Sequence, residues 1–342
     1  MKISYLLEDT ALAGGIRVIV AHADALIDRG HELTLVTKGG PLTWRRSRAR
    51  WEHVRDFREV DGSAFDFVVG TFWTTVADAY ALAGARAVHF CQGYEGSFSA
   101  YAAIKDEIDA VYRLPIPKIC VSPYLVEVCR GFHDDATYVG QIVDDEFFRD
   151  RLKPVPTEGE WGCGDRLQPV PRVLLVGPFQ ANFVKGIDLG YDAVRRARAG
   201  GAELDLIRVS QWVVADDEPA ELAQEFHVAV DTAEMARLYA TADVYLGPNR
   251  RQEGFGLPAA EALAGGVPAI LTRIPSYLWW DDVHDYALFV PENDSATMAE
   301  ALLRLLGDAE LRARLARRGQ EVAEQFRSAR TGERLERFFQ SR

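Results

Sequence analysis

Glu253-Gly-Phe-Gly-Leu-Pro-Ala-Ala-Glu261, running on as Ala-Leu-Ala-Gly-Gly-Val-Pro-Ala-Ile270, is the stretch on which the reading of this 342-residue chain turns. An apolar run, Val244 to Leu246, precedes it and reads as a buried strand. Gly254 and Gly256 free the backbone for close approach to a ligand. Pro258 suits the first turn of a helix, where its missing N–H is not needed. The start of that helix offers unpaired amides and the positive end of a dipole, which together suit a diphosphate. Glu261 lies about one turn inside the helix and can reach back to hydroxyls near the same anion. Glu253 sits in the preceding loop and can face a sugar.

Working outward, short apolar runs alternate with longer amphipathic ones. Lys2 to Leu7 reads as a strand, Gly15 to Arg29 as a helix and Glu32 to Thr37 as the next strand. Phe65 to Val69, Ala87 to Cys91 and Lys118 to Val121 read as further strands. A second series starts at Val173 to Gly177 and continues through Leu204 to Val209, Val228 to Val230, Val244 to Leu246, Ala269 to Leu271 and Ala287 to Val290. Helices are expected over Ala296 to Leu306, Ala309 to Gln325 and Thr331 to Phe339. This alternation implies an α/β protein with two facing Rossmann-like domains, parallel sheets and a cleft between the domains. The expected boundaries are an N-terminal domain over 1–152, a Pro/Gly-rich linker over 153–171, a C-terminal domain over 172–326 and a last helix over 327–342. Ligands of such sheets bind outside the carboxyl ends of the strands, where the motifs fall.

Two glutamates with seven residues between them, Gly-Phe-Gly-Leu-Pro among these and Gly-Gly-Val-Pro after, resemble the signature of retaining glycosyltransferases of family 4, which have the GT-B fold. The resemblance covers nearly the whole chain and is most specific in the C-terminal half. It implies a hexosyltransferase-type enzyme that moves a sugar from a nucleoside-diphosphate sugar to a hydroxyl acceptor. It also implies that the C-terminal half binds the donor, the N-terminal half the acceptor, and that the last helix crosses back to the N-terminal domain. Glu253 would contact hydroxyls of the transferred sugar and Glu261 the ribose. Backbone amides of Gly254, Phe255, Gly256 and Leu257 would cradle the diphosphate and sugar.

Three further motifs follow. Gly14-Gly15 comes after the first strand and lets backbone approach a phosphate; a plain tight turn accounts for the pair equally well. His31, at the turn before the second strand, reads as structural. Phe183-Val-Lys185-Gly186 places a lysine where the family neutralises the donor diphosphate, but the family's accompanying arginine is replaced by Pro178 and Phe179. Arg250 and Arg251, next to the Glu253 loop, are candidates for the second positive charge. In His89-Phe-Cys-Gln92-Gly-Tyr94-Glu95, Gln92 takes the place near the reacting sugar that many relatives give to a histidine; His89 reads as a packed core residue. Gln-x-Tyr-Glu resembles a bacterial subgroup that includes rhamnosyltransferases.

The net charge of −12 argues against a nucleic-acid partner. Trp44-Arg-Arg-Ser-Arg-Ala-Arg-Trp51, with Arg55 and Arg58, is a basic stretch suited to peripheral membrane contact through 44–58. Its interspersed Glu52, Asp56 and Glu59 read rather as a solvated helix face. None of the four cysteines, Cys91, Cys120, Cys129 and Cys163, forms a CxxC pair, so reduced thiols in a cytoplasmic protein are expected. The apolar opening ends at Glu8, too soon for a signal peptide. Arginine-over-lysine usage and abundant alanine suggest a bacterial source. No cofactor and no metal are expected beyond the co-substrate, because no Asp-x-Asp pair stands at a strand end. A GT-B sugar-nucleotide epimerase and a non-catalytic sugar-nucleotide-binding subunit are the rival readings.

Overall fold

The computed structural model describes residues 1–148, 170–180 and 183–342. Of the expected linker, only residues 170 and 171 lie among them; Cys163 also falls outside. By internal packing the chain divides into Met1–Ile142 with Phe326–Arg342, and Val143–Gln325.

In the first unit the elements follow as β1 (Lys2–Leu7), α1 (Gly14–Ile27), β2 (Glu32–Thr37), β3 (Arg50–His53), β4 (Phe67–Gly70), α2 (Trp73–Ala83), β5 (Ala87–Cys91), α3 (Lys105–Tyr112), β6 (Lys118–Cys120), α4 (Pro123–Arg130) and β7 (Ala136–Tyr138). All seven strands run parallel in the order β3-β2-β1-β4-β5-β6-β7. A parallel sheet is covered on both faces, so its central strands are apolar throughout: Tyr5, Leu6, Val68, Val69, Val88 and Ile119 are fully buried.

The second unit holds β8 (Arg172–Val176), α5 (Ile187–Ala199), β9 (Asp205–Ser210), β10 (Glu225–Val228), α6 (Thr232–Thr241), β11 (Val244–Gly247), α7 (Leu257–Ala264), β12 (Ala269–Thr272), α8 (Pro275–Leu278), β13 (Leu288–Val290), α9 (Ser295–Gly307) and α10 (Ala309–Ala323). Its six strands are again parallel, in the order β10-β9-β8-β11-β12-β13. One core cluster joins Val173, Leu175 and Leu246 of the sheet to Tyr191, Val194 and Ala197 of α5 and to Met298, Leu302 and Leu305 of α9. The chain from Phe326, ending in α11 (Ser328–Gln340), belongs to the first unit. There Glu336 accepts from Arg29 at 3.0 Å, Phe339 packs on Phe67 with ring centroids 5.1 Å apart, and Arg342 pairs with Asp135 at 2.5 Å.

Two expectations are corrected. The basic stretch 44–58 is not a helix face: Arg50–His53 pair with Thr34–Thr37 of β2 as the edge strand β3. Edge strands keep one face in water and carry polar residues, which reads as helix in a charge count. The strand expected at Val228–Val230 lies earlier, at Glu225–Val228, because Ala229 takes φ 50 and ends it. Among the described residues no helix is long and apolar enough to cross a membrane.

Arg208 of β9 and Glu218 form a buried ion pair at 2.8 Å, and the Tyr191 hydroxyl donates to the same Glu218 oxygen at 2.9 Å. Removing one partner leaves an uncompensated buried charge. Glu218→Ala is therefore expected to lower unfolding free energy by about 3–5 kcal/mol, measured by urea denaturation. A loss under about 1 kcal/mol, the ceiling for a solvated pair, would contradict this.

Candidate functional site

In each sheet the strand order reverses beside one strand. β1 lies between β2 and β4, and β8 lies between β9 and β11. Connections from such neighbours leave toward opposite faces and open a crevice at the carboxyl edge. After β1 the chain enters α1, whose first two residues are Gly14 and Gly15. The Lys185 loop follows β8 and the Glu253 loop follows β11, its neighbour.

Glu253 is the hub of the second unit's edge. Its Oε2 accepts from Lys185 Nζ at 2.8 Å and from Asn249 Nδ2 at 2.7 Å; its Oε1 accepts from the Gly256 amide at 3.2 Å. Burial pushes the carboxyl upward, but Lys185, Asn249 and the Phe255 amide more than offset this, so its pKa lies below the ordinary glutamate value. Glu253 is thus a fixed carboxylate, poorly suited to donate a proton. Its carbonyl accepts from Ser276 Oγ. The Tyr277 hydroxyl donates to Asn249 Oδ1 at 2.8 Å and so orients the amide that holds Glu253.

Glycine is required at two turns here. Gly186 has φ 62, and a Cβ on it would lie 2.0 Å from the Pro248 carbonyl oxygen. Gly256 has φ 91, and its Cβ would lie 2.3 Å from the Tyr277 ring. Each side chain would need both a disfavoured backbone conformation and space already filled. Gly256 caps α7 and Pro258 stands in its first turn. The Phe255 ring is buried against Trp280, centroids 5.4 Å apart, which anchors the loop that leads into α7. Glu261, one turn into α7, is buried with its Oε2 3.1 Å from the Tyr239 hydroxyl.

Arg250 is held rather than loose. Its Nη1 donates to the Phe183 carbonyl at 2.5 Å, its Nη2 to Asp188 at 2.7 Å and its Nε to Asn293 at 3.2 Å. The Arg250 amide bonds the Val184 carbonyl at 2.8 Å. Arg250 therefore braces the segment that carries Lys185. Arg251 is 69% exposed and pairs with Glu292 at 3.3 Å.

In the first unit, Gln92 follows β5, and a Cβ added at Gly15 would lie 3.4 Å from its Oε1. Its Oε1 is buried without a hydrogen-bond partner among the described residues. His89 is buried and packs edge-on against Tyr112; burial and then Lys118 lower its pKa to about 3. His31, at the turn before β2, lies 3.5 Å from Glu336. Tyr94 donates to Asp109, and the Glu95 carboxylate lies 2.7 Å from the Tyr112 hydroxyl. Burial raises Glu95 to about 7. The Gln-x-Tyr-Glu residues thus brace the loop that carries Gln92.

Asn249, Ser276, Tyr277 and Tyr239 escaped the sequence reading. Tyr277 and Asn249 are 28 positions apart and only the fold joins them. Asn249 had one available signal, a polar residue directly after a buried strand.

Comparison with known proteins gives a partial match. Residues 170–308 match the family model described as "Glycosyl transferases group 1". A phosphatidyl-myo-inositol mannosyltransferase of Mycobacterium leprae is 34% identical over 97 residues, 28% of this chain and 26% of that protein. A D-inositol 3-phosphate glycosyltransferase of Saccharomonospora viridis is 35% identical over 102 residues, 30% of this chain and 23% of that one. The chain thus spans about a quarter of the curated relatives it matches. Anabaena HepE in complex with UDP-glucose superposes over 100% of both chains with TM-score 0.79 at 14% identity. A sucrose-phosphate synthase from Thermosynechococcus elongatus superposes over 99% of this chain and 98% of its own, with TM-score 0.76 at 15% identity. The chain has the GT-B fold.

The Lys185–Glu253 pair yields a pH-dependent prediction. With its pKa depressed, Glu253 contributes stability above the ordinary glutamate range, and that contribution is lost as pH falls through its folded value. Without Lys185 the buried carboxylate lacks its charge partner. Lys185→Met is expected to cost about 3 kcal/mol near neutrality, and the deficit should shrink on acidification as the carboxyl protonates. Denaturant titrations across pH check this; a deficit independent of pH would contradict it.

Proposed function

We propose that this chain is a retaining glycosyltransferase of family 4, transferring a hexose from a nucleoside diphosphate to a hydroxyl acceptor. The observation that carries the reading is the Lys185–Glu253 pair, set beside the glycine-capped start of α7 at the carboxyl edge where the strand order reverses. The matched residues 170–308 contain Lys185, Glu253 and Glu261. Charge and geometry there suit the departing half of the reaction. The bond between the anomeric carbon and the diphosphate oxygen breaks, and its electron pair leaves with the diphosphate. Lys185 and the amides at the start of α7 stabilise the charge that develops. The acceptor oxygen attacks from the same face and its proton passes to the departing phosphate oxygen. No protein base and no metal take part in this scheme.

Glu253, fixed as a carboxylate, orients sugar hydroxyls, and Glu261 holds the ribose. The first unit's Gly14, Gly15 and Gln92 take the roles that the family resemblance implies. Arg250 acts on the donor through the Lys185 segment. An epimerase would need a carboxyl able to give up a proton against the sugar, and the depressed pKa of Glu253 disfavours it. The acceptor class rests with the first unit, outside the matched residues.

Incubation with a panel of sugar nucleotides should release free sugar slowly from the preferred donor. Epimer formation would support the epimerase instead, and binding without turnover a non-catalytic subunit. Glu261→Ala should weaken binding of the bare nucleoside diphosphate by about tenfold or more, since it removes a contact made before and during reaction. Glu253→Ala should chiefly lower turnover. Calorimetry showing unchanged nucleotide affinity in Glu261→Ala would overturn the ribose assignment.

The two arginines should separate. Arg250→Ala, which frees the segment holding Lys185, is expected to lower turnover about as much as Lys185→Ala, about tenfold or more because the charge-stabilising contact of Lys185 is misplaced, while Arg251→Ala stays near wild type. Steady-state kinetics decide; wild-type rates in Arg250→Ala would remove it from the account.

A further inference from the structure

Three cysteines that the sequence keeps apart meet in the core of the first unit. Cys91 ends β5, Cys120 ends β6 beside it in register, and Cys129 lies on α4. All three are fully buried or nearly so. Their sulfurs lie within 4.8 Å of one another, and Cys120 Sγ is 3.7 Å from Cys129 Sγ. Among the described residues this is the one cluster of three or more metal-ligating side chains so placed.

Sulfurs bound to one tetrahedral zinc at about 2.3 Å stand about 3.8 Å apart, so the trio needs a contraction of at most about 1 Å. The Tyr112 hydroxyl, 3.6 Å from Cys91 Sγ, closes one side of the cluster and is itself bonded to the Gly93 carbonyl and to Glu95, each at 2.7 Å. Charge fits as well. Three thiolates around a divalent ion leave one net negative charge. Lys118, fully buried, begins the strand β6 that Cys120 ends. A monovalent soft ion would leave a negative charge unbalanced in the core, which is costly. Lys118 Nζ otherwise donates only weakly, to the carbonyls of Leu114 at 3.3 Å and Ile116 at 3.2 Å.

We propose that Cys91, Cys120 and Cys129, with Lys118 as counter-charge, form a three-thiolate structural site for a thiophilic divalent cation of the zinc class. Loading replaces three S–H bonds by three metal–sulfur bonds and releases three protons; no oxidant or reductant takes part. The ion would tie β5, β6 and α4 together directly beneath Gln92, the residue after Cys91, and so stiffen the loop that carries it. Because the thiols are closed off from solvent, the ion enters as the chain folds.

The full-length chain is refolded with one equivalent of cobalt(II), a spectroscopic substitute for zinc, and with zinc followed by metal analysis. The expected result is one ion per chain, thiolate-to-cobalt charge-transfer bands, and displacement of cobalt by zinc. Cys129→Ser and Cys91→Ser should each weaken cobalt binding by about tenfold or more, and Cys163→Ser should not. Circular dichroism of the metal-free variants separates lost binding from lost folding. Wild-type protein that refolds with well under one ion per chain overturns the proposal, as does binding that Cys163→Ser abolishes or that both Cys91→Ser and Cys129→Ser leave intact.

Discussion

Glu253 ties three strand ends together, and the candidate site depends on that knot. Its carboxylate takes Lys185 from the loop after β8 and Asn249 from the loop after β11; its carbonyl takes Ser276 from the turn after β12. A carboxylate in this position would be expensive if any partner were missing, because burial alone drives it toward the neutral form. Its partners make the charged form the stable one and fix the direction of the Lys185 ammonium. An anion arriving at the carboxyl edge therefore meets a cation already in place, which lowers the ordering cost of binding. The same ammonium would then be shared between Glu253 and the anion, so the pair would couple anion binding to the geometry of the carboxylate.

Two glycines make that knot possible. Gly186 lets the Lys185 segment lie against the Pro248 carbonyl, and Gly256 lets the start of α7 press on the Tyr277 ring. Arg250 adds a third restraint by bonding Phe183 and Asp188 on either side of Lys185. Arg250, a candidate phosphate ligand on sequence, is bonded in the structure to the segment that carries Lys185. The buried Arg208–Glu218 pair does similar work next door, anchoring the far end of the connection that leaves β9.

How much of this was legible followed the range of the interaction. The loop from Glu253 to Glu261 declares itself because glycine, proline and the glutamates act within one turn of each other. Central strands declare themselves because both faces are apolar. β3 and β7 do not, since edge strands carry polar residues; the Arg50–His53 stretch passed for a helix face for that reason. Asn249 and Tyr277 are ordinary residues until the fold sets their polar atoms 2.8 Å apart. The cysteines are the extreme case: their spacing matches no metal motif, because β5, β6 and α4 each supply one.

The central claim is that the donor is gripped at the carboxyl edge of the second unit, by the Lys185 segment and the start of α7. Hydrogen–deuterium exchange with and without a saturating nucleoside diphosphate tests it most directly. The account predicts protection concentrated in the amides of residues 183–186 and 253–261, diminished in Lys185→Met. Protection confined to other segments, with these two unchanged, would contradict it.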